Sequence, residues 1–321
     1  MNQFSEKSSN EPFILVYHER AAEFCMQELQ KLGVTHIACA STREEVMAVL
    51  DRVEILFCWR FPMDLFAKAP ALRWVQLMGA GVDDVMMSNQ LPEHVTLTRI
   101  VGQFGTAIAE YVFAEMLYLV KNLAKFQEQQ QISLWKPMKL SVLTGKILAV
   151  AGLGSIGAEI IRLGRAFGMH TIGLSRTGAH QHLVDQHFFP EQWGEFVQQA
   201  DVIVITLPYT ESTRAVVDKM IFEQMKSTVM IVNIGRGAVI NEADLIAFLQ
   251  THPESAAILD VFEMEPLSSE NPLWRLPNAV VTPHISGPSS TAEVSDFFFA
   301  NLKRYLTDVE LYGIVDRSAQ Y

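Results

Sequence analysis

The sequence contains few cysteines, and their spacing does not suggest a metal site. The 321-residue chain has three, Cys25, Cys39 and Cys58, and no C-x-x-C pair. An odd number at irregular spacing predicts reduced, buried thiols in a reducing compartment, so we expect a cytoplasmic protein. The first ten residues, MNQFSEKSSN, are polar and lack the apolar core of a signal peptide, so we expect no export signal.

Long apolar runs and clusters of basic residues are also missing. The longest apolar stretches, such as Val202–Leu207, have the length of a buried strand, so we expect no membrane partner. The formal net charge is −11 with no Lys/Arg cluster, which argues against nucleic acid as a partner. His180, His182 and His187 lie close together, but their segment supplies no cysteine, and we expect no metal there.

Apolar residues are plentiful, and they alternate in a way that predicts the fold class. Hydrophobic residues make up 49% of the chain, enough for two globular domains at this length. Short apolar runs alternate with helical patterns, which is typical of parallel α/β sheets. The predicted strands are Phe13–Tyr17, Thr35–Cys39, Glu54–Cys58 and Trp74–Leu77, and then Lys146–Ala151, His170–Leu174, Asp201–Thr206, Val229–Ile234, Ala257–Val261 and Ala279–Thr282. Long helices are predicted over Thr106–Gln130 and Ser289–Leu306.

A glycine-rich motif follows the first strand of the second series. Gly152-x-Gly154-x-x-Gly157 stands between an apolar strand and an amphipathic helix, the context in which this motif predicts dinucleotide binding. Gly152 permits the tight turn, Gly154 leaves room for the pyrophosphate, and Gly157 lets helix and strand pack closely. The N–H groups at Ser155 and Ile156 would then hold the phosphates. The alternative is a tight turn without a ligand.

The end of the next strand predicts which nicotinamide cofactor is bound. NAD-specific sites usually carry Asp or Glu there, which binds the ribose hydroxyls and repels a 2′-phosphate. This sequence has Ser175, followed by Arg176 and Thr177. A guanidinium and two hydroxyls suit the phosphate, so we expect NADP to be preferred, with NAD as the alternative. The alternative is that Arg176 points into solvent and does not contact the 2′-phosphate.

Three further segments, taken with the glycine loop, resemble the D-2-hydroxyacid dehydrogenase family. They are VNIGRGAVINEADL (Val232–Leu245), LDVFEMEPL (Leu259–Leu267) and TPHISG (Thr282–Gly287). The resemblance covers nearly the whole chain and is strongest to glyoxylate/hydroxypyruvate reductases, through the segments WKP, SRT, NPLW and VDRSAQY. It implies two doubly wound parallel-sheet α/β domains. A Rossmann dinucleotide-binding domain would occupy residues 105–285, and a discontinuous flavodoxin-like substrate domain residues 1–104 and 286–321.

The family pattern also implies a catalytic set. Arg236 would bind the substrate carboxylate and polarise the carbonyl, since a guanidinium offers a rigid fork of donors. His284 would act as general acid in reduction and as base in oxidation, because hydride attack on a ketone develops an alkoxide that needs a proton. Glu265 would orient the His284 ring and favour its protonated form. Glu263, two residues earlier, is the alternative partner.

Further contacts are implied by the same resemblance. Those to the cofactor would come from Leu207, Pro208, Thr213, Ile234, Arg236, Asp260, His284, Ser286 and Gly287, with Asp260 near the nicotinamide carboxamide. The backbone N–H groups of Ala80 and Gly81 would bind the substrate carboxylate. Trp59 and Arg60 are expected to line the pocket because they follow another predicted strand, not because of the resemblance. Trp135 would restrict substrate size, in its own subunit or in that of a partner; the alternative is a tryptophan that only packs or forms a dimer contact.

The expected activity is the NAD(P)H-dependent reduction of small 2-oxo acids, such as glyoxylate and hydroxypyruvate, to D-2-hydroxy acids. The resemblance also implies a homodimer. Two alternatives stay open from the sequence: an NAD-dependent dehydrogenase of a bulkier D-2-hydroxy acid, and a dinucleotide-sensing, corepressor-like scaffold without enzymatic activity.

Overall fold

A computed structural model describes residues 11–321 and divides them into two compact units. One consists of residues 11–101 with Ser289–Tyr321, and the other is Gly102–Pro288. The boundaries predicted from the sequence lie after residues 104 and 285. The first ten residues of the predicted substrate domain, and the expectation about an export signal, lie outside the described residues. None of the described helices is both long and apolar enough to cross a bilayer.

The first unit is built on a parallel sheet with flavodoxin-like strand order. In the described residues its strands are β1 (Ile14–Tyr17), β2 (Ile37–Ala40), β3 (Ile55–Cys58), β4 (Trp74–Leu77) and β5 (Thr96–Thr98). They lie side by side in the order β2-β1-β3-β4-β5. Every residue of β1, β3 and β4 is buried, which explains why these strands are continuous apolar runs in the sequence. The sequence prediction missed β5, a three-residue edge strand.

The C-terminal segment completes the first unit by covering this sheet. The α-helices of the unit are α1 (Ala22–Lys31), α2 (Arg43–Met47), α3 (Asp83–Ser88) and α10 (Thr291–Leu306), and its 3-10 helices are Leu50–Arg52 and Met63–Lys68. Phe298 of α10 stacks on Phe57 and Trp74, with ring centroids 4.5 and 5.3 Å apart. Asn301 donates to the buried Gln76 side chain at 2.9 Å. Apolar stacking and a satisfied polar contact thus hold α10 on the sheet.

The second unit is built on a parallel sheet with Rossmann strand order. Its strands are β6 (Ile147–Ala151), β7 (His170–Leu174), β8 (Gln186–Phe188), β9 (Val202–Ile205), β10 (Met230–Asn233), β11 (Ala256–Leu259) and β12 (Ala279–Val281). Their order is β12-β11-β10-β9-β6-β7-β8, which reverses between β6 and β9. Ligands of such sheets bind outside the carboxyl ends of the strands at this switch point. The prediction of six strands was wrong by one, because the polar edge strand β8 was missed.

Helices cover this second sheet, and one of them differs from its prediction. They are α4 (Gly105–Val120), α5 (Leu123–Gln131), α6 (Ser155–Ala166), α7 (Trp193–Gln199), α8 (Lys219–Phe222) and α9 (Glu242–Thr251), with 3-10 helices at Gln181–Leu183, Pro190–Gln192, Gly237–Val239 and Pro272–Arg275. The single helix predicted over Thr106–Gln130 was wrong. It breaks at Asn122, whose φ of 51° is left-handed, a conformation that asparagine tolerates better than most residues.

Candidate active site

The glycine-rich loop joins β6 to α6, and its three glycines have different surroundings. Gly152 has a φ of 105°, and a Cβ there would overlap the Thr206 hydroxyl. A Cβ on Gly157 would overlap the carbonyl oxygen of Gly152, so the packing of α6 on β6 requires glycine. A Cβ on Gly154 would meet no atom within 4 Å. This open space borders the N-terminal turn of α6 at Ser155 and Ile156, a cradle that fits a pyrophosphate.

The segment after β7 lies beside this loop. The Gly152 N–H donates to the carbonyl of Leu174, the last residue of β7, at 2.8 Å. Ser175 follows and is largely buried, whereas Arg176 and Thr177 are exposed. The Thr177 hydroxyl accepts the N–H of Ala179 at 3.3 Å. The residues predicted to choose the cofactor therefore border the predicted phosphate cradle.

Two histidines support this corner of the unit, and the sequence interpretation gave them no role there. His180 Nδ1 lies 2.7 Å from the Leu153 carbonyl oxygen and ties the segment after β7 to the glycine loop. His187, on β8, places Nε2 2.8 Å from Ser175 Oγ. Residues 11–321 contain no group of three or more His, Cys, Asp or Glu side chains that could hold a metal ion. A prediction of β8 as the neighbour of β7 would have revealed the contact with Ser175.

The loop after β9 lies at the same carboxyl edge of the sheet. The Thr213 hydroxyl donates to the Pro208 carbonyl at 2.7 Å and accepts the Thr210 N–H at 2.8 Å, which closes the loop on itself. A Cβ on Gly235 would come within 2.6 Å of the Leu207 carbonyl oxygen. Leu207 therefore packs directly against the segment that carries Ile234 and Arg236.

Arg236 stands on a turn that a buried asparagine shapes. Asn233 ends β10; its Oδ1 accepts the Gly235 N–H at 3.2 Å, and its Nδ2 donates to the Arg236 carbonyl at 3.1 Å. The Arg236 guanidinium is half-buried and donates through Nη1 to the Gly235 carbonyl at 2.7 Å. A Cβ on Gly237 would overlap the Phe262 backbone. The two flanking glycines thus allow a close turn that holds a cation at the strand end, and the sequence interpretation missed Asn233.

The side chains of His284 and Glu265 are hydrogen-bonded to each other. His284 Nδ1 lies 2.8 Å from Glu265 Oε2, and the two side chains are 42% and 26% exposed. The other carboxylate oxygen of Glu265 accepts the Phe262 N–H at 3.1 Å, which fixes the carboxylate toward the ring. With Nδ1 engaged, Nε2 is the nitrogen left to exchange a proton with a substrate. Glu263, the alternative partner, is exposed.

Asp260 holds the turn on which His284 stands. Its fully buried carboxylate accepts the Thr282 hydroxyl at 2.6 Å and the N–H groups of Ile285 and Ser286 at 2.9 and 2.8 Å. The His284 N–H donates to the Asp260 carbonyl at 2.9 Å, and His284 has a left-handed φ of 54°. The resemblance assigns Asp260 to the nicotinamide carboxamide, whereas these contacts support a residue that positions His284.

Tyr111 of α4 extends this network, and the sequence gave no sign of it. Its hydroxyl lies 2.6 Å from Thr282 Oγ1. Burial, assisted by the nearby charges of Asp260 and Glu115, raises the pKa of Tyr111 to about 12, so the phenol stays protonated. Because Thr282 donates to Asp260, Tyr111 is the donor to Thr282. Gly287, at the end of the same segment, lies beside Ile108 of α4.

In the first unit, the two predicted substrate segments lie side by side. Trp59 and Arg60 follow β3, and the loop of Ala80 and Gly81 follows the neighbouring β4. The Trp59 ring packs so closely on Gly79 that a Cβ there would lie 2.6 Å from it. Arg60 has a left-handed φ of 48°, and its guanidinium carbon lies 5.9 Å from the Trp59 ring centroid. These side chains line one edge of the sheet.

The backbone of the loop at Ala80 and Gly81 has a partner that the sequence interpretation missed. Arg99 Nη1 donates to the Ala80 carbonyl at 3.0 Å. This hydrogen bond fixes the direction of the Ala80 carbonyl. Both Ala80 and Gly81 are half-buried.

Trp135 differs from these residues in that its side chain is almost fully exposed. It follows α5 in the second unit, and 96% of the residue is exposed. Ile132 and Leu134 beside it are also exposed. The structure therefore places an apolar surface at Trp135 rather than a packed side chain.

Comparisons with known proteins identify the family of the chain. The model of the D-isomer specific 2-hydroxyacid dehydrogenase NAD-binding domain matches residues 113–286. Over 264 residues the chain is 30% identical to glyoxylate/hydroxypyruvate reductase A from Yersinia enterocolitica, covering 80% of this chain and 84% of that protein.

Two solved structures extend the similarity to nearly the whole chain. A D-isomer specific 2-hydroxyacid dehydrogenase family protein from Aeromonas salmonicida is 34% identical, with a TM-score of 0.88, covering 96% of this chain and 100% of that one. An NADPH-dependent glyoxylate/hydroxypyruvate reductase from Sinorhizobium meliloti, solved with NADP and sulfate, is 25% identical, with a TM-score of 0.87 and coverage of 97% and 100%. The chain belongs to the D-isomer specific 2-hydroxyacid dehydrogenase family.

Proposed function

We propose that this oxidoreductase uses NADPH to reduce small 2-oxo acids, glyoxylate and hydroxypyruvate among them, to D-2-hydroxy acids. The observation that carries the proposal is the pair of His284 and Glu265 beside the turn of Arg236. Their strands, β12, β11 and β10, are neighbours in one sheet, so an acid–base group and a carboxylate-binding cation stand at one edge. A 2-oxo acid needs both.

The chemistry of the chain's own residues follows from this arrangement. The bound nicotinamide supplies the hydride. Arg236 offers fixed positive charge to the substrate carboxylate and to the oxygen that becomes an alkoxide. His284 delivers a proton from Nε2 to that oxygen in reduction and removes it in oxidation, while Glu265 stabilises the imidazolium.

The cofactor proposal rests on the segment after β7. Ser175, Arg176 and Thr177 bring hydroxyls and a guanidinium to the place where NAD-specific sites carry a carboxylate. The S. meliloti relative, an NADPH-dependent enzyme solved with NADP, supports the same choice. We propose that NADH is used less efficiently.

The substrate proposal rests on the first unit and on the named relatives. The backbone N–H groups of Ala80 and Gly81 and the side chains of Trp59 and Arg60 would bind and enclose a small acid, which makes this unit the substrate domain and the second unit the dinucleotide-binding domain. The relative from Y. enterocolitica carries the name of the same activity.

The proposal includes a homodimer in a reducing compartment. The exposed apolar side chains at Ile132, Leu134 and Trp135 suit a contact with a second copy, through which Trp135 would limit substrate size. The three cysteines are free thiols, which supports a location in the cytoplasm.

The test is a panel of 2-oxo acids assayed with NADPH and with NADH by the loss of reduced-cofactor absorbance. We expect the highest kcat/KM with NADPH and glyoxylate or hydroxypyruvate. Higher kcat/KM with NADH and a branched or aromatic 2-oxo acid would show a dehydrogenase of bulkier substrates instead. Tight cofactor binding without turnover of any acid would show a dinucleotide-sensing scaffold.

A further inference from the structure

His187 reaches the residue on which the proposed cofactor choice depends. It lies on the edge strand β8, opposite Gly173 of β7, and the Ser175 N–H donates to the Phe188 carbonyl at 3.1 Å. This register places His187 Nε2 2.8 Å from Ser175 Oγ. Ser175 in turn holds the position where a carboxylate would select NAD. The backbone pairing of an edge strand therefore brings an imidazole to the point of cofactor selection.

The direction of this hydrogen bond determines what Ser175 can offer a ligand. A hydroxyl has one proton and two lone pairs. If Nε2 carries the ring proton, His187 donates to Ser175 Oγ, and the hydroxyl proton is left for another acceptor. If Nε2 is bare, Ser175 donates to the ring and offers only lone pairs.

The two nicotinamide cofactors differ in the same property. The 2′-phosphate of NADP presents oxygen atoms that accept hydrogen bonds. The 2′-hydroxyl of NAD, in contrast, can donate a hydrogen bond to a lone pair of Ser175 Oγ. A Ser175 hydroxyl whose proton points outward thus favours the phosphate. A Ser175 hydroxyl that donates its proton to the His187 ring favours the 2′-hydroxyl of NAD.

The surroundings of His187 keep the ring neutral and in place. Partial burial lowers the pKa of the His187 imidazole, so at neutral pH the ring carries one proton, on one nitrogen or the other. The Phe189 ring meets it edge-on, with centroids 4.8 Å apart. A neutral, packed ring can act as a fixed donor.

We propose that His187 is a specificity-determining positioning residue: by donating from Nε2 to Ser175 Oγ, it turns the Ser175 hydroxyl proton toward the 2′-phosphate and favours NADP over NAD. The inference rests on the proposed NADPH preference and adds the residue that sets it. His187 acts through Ser175, and the test must show that dependence.

The test measures binding of two cofactor fragments by titration calorimetry, without any turnover. Adenosine 2′,5′-bisphosphate carries the 2′-phosphate, and adenosine 5′-monophosphate carries the 2′-hydroxyl. His187→Phe keeps a ring against Phe189 but removes both nitrogens. Loss of one orienting hydrogen bond should weaken bisphosphate binding about three- to tenfold and leave monophosphate binding unchanged.

A double-mutant cycle separates positioning from a structural effect. In a Ser175→Ala background, His187→Phe should cause no further loss, because the hydroxyl that it orients is gone. His187→Gln, whose amide nitrogen can donate to Ser175, should retain most of the bisphosphate affinity. It is also the variant to test if His187→Phe does not fold. His170→Phe is the matched control, since His170 lies exposed at the opposite end of β7.

The outcomes distinguish this inference from the function on which it rests. Equal wild-type affinity for the two fragments would refute the NADP preference and the role of His187 together. A wild-type preference for the bisphosphate that His187→Phe leaves unchanged would refute His187 alone. Equal losses for both fragments, or a loss that persists with Ser175→Ala, would show that His187 only supports the fold.

Discussion

Replacing Asp260 by asparagine tests whether this residue positions His284 or binds the nicotinamide. The carboxylate accepts three hydrogen bonds through its two oxygens, from the Thr282 hydroxyl and from the N–H groups of Ile285 and Ser286. Asparagine has only one acceptor oxygen. If that oxygen keeps Thr282 and Ile285, the new NH2 group faces the Ser286 N–H, donor against donor.

The expected loss of stability follows from the number of hydrogen bonds that the substitution changes. One charge-assisted hydrogen bond is lost and two become neutral, and a bond to a charged group contributes about 1.5–3 kcal/mol. We expect Asp260→Asn to lower the free energy of unfolding by about 2–4 kcal/mol, which lowers Tm by roughly 5–15 °C for a unit of this size. His284 has a left-handed φ of 54°, a conformation that costs about 1 kcal/mol. The hydrogen bonds of the Asp260 carboxylate hold His284 in this conformation.

The kinetic consequence separates the two roles. A loosened turn lets His284 leave its productive position, so kcat should fall about ten- to a hundredfold while the KM for NADPH changes little. Steady-state kinetics with varied NADPH, together with thermal unfolding, measures both effects. Asp201→Asn is the control: it removes a carboxylate that accepts the Ile147 N–H and the Lys226 ammonium, both at 2.8 Å, at the start of β9. It should reduce Tm with unchanged kcat.

A rise in the KM for NADPH with unchanged kcat would refute this reasoning. That pattern would mean that the Asp260 carboxylate contacts the cofactor and that the His284 turn stands without it. Unchanged Tm and unchanged kinetics would refute the hydrogen-bond network itself.

Three further changes have expected outcomes. Arg176→Ala should lower kcat/KM for NADPH by about one to two decades and hardly change that for NADH, since only the former has a phosphate to bind; equal losses would exclude Arg176 as the selective contact. His284→Ala should lower kcat by about two to four decades with NADPH binding retained in a fluorescence titration, and retained kcat would exclude it as the acid. Burial raises the pKa of Asp201, but the hydrogen bonds from Lys226 and Ile147 and the charges of Lys226 and Lys146 together outweigh it and lower the pKa. Its stabilising effect is therefore present above the ordinary aspartate value of 3.8 and is lost as pH falls through the lower folded value. The Tm difference between Asp201→Asn and wild type should shrink over that range, and a constant difference would contradict the assignment.

The buried strands could be predicted from the sequence because they have neighbours on both sides and helices on both faces. Continuous apolar runs such as Ile14–Tyr17 and Val202–Ile205 follow from that burial. The strands that were missed, Thr96–Thr98 and Gln186–Phe188, are short and lie at sheet edges, where polar residues are tolerated. The break at Asn122 was missed because the apolar spacing continues across it.

The candidate site was predictable only as far as its residues follow strand ends. Arg236 and His284 could be predicted because each stands in a short motif that follows a strand. Tyr111 bonds to Thr282 across most of the second unit, and such a partner depends on strand order and register, which one sequence does not display. Asn233 bonds only to residues two and three positions on, so its polar side chain at the end of an apolar strand was a signal that the sequence did contain.

The strand order also brings the three proposed catalytic residues into contact through their turns. Arg236, Glu265 and His284 follow the three neighbouring strands β10, β11 and β12, so each turn packs against the next. A Cβ on Gly237 would overlap the Phe262 backbone, and the Phe262 N–H in turn holds the Glu265 carboxylate. A displacement of the Arg236 turn would therefore reach the Glu265–His284 pair through the Phe262 backbone and its hydrogen bond to the Glu265 carboxylate. The glycine after Arg236 therefore permits the close contact between the Arg236 turn and the segment that holds Glu265.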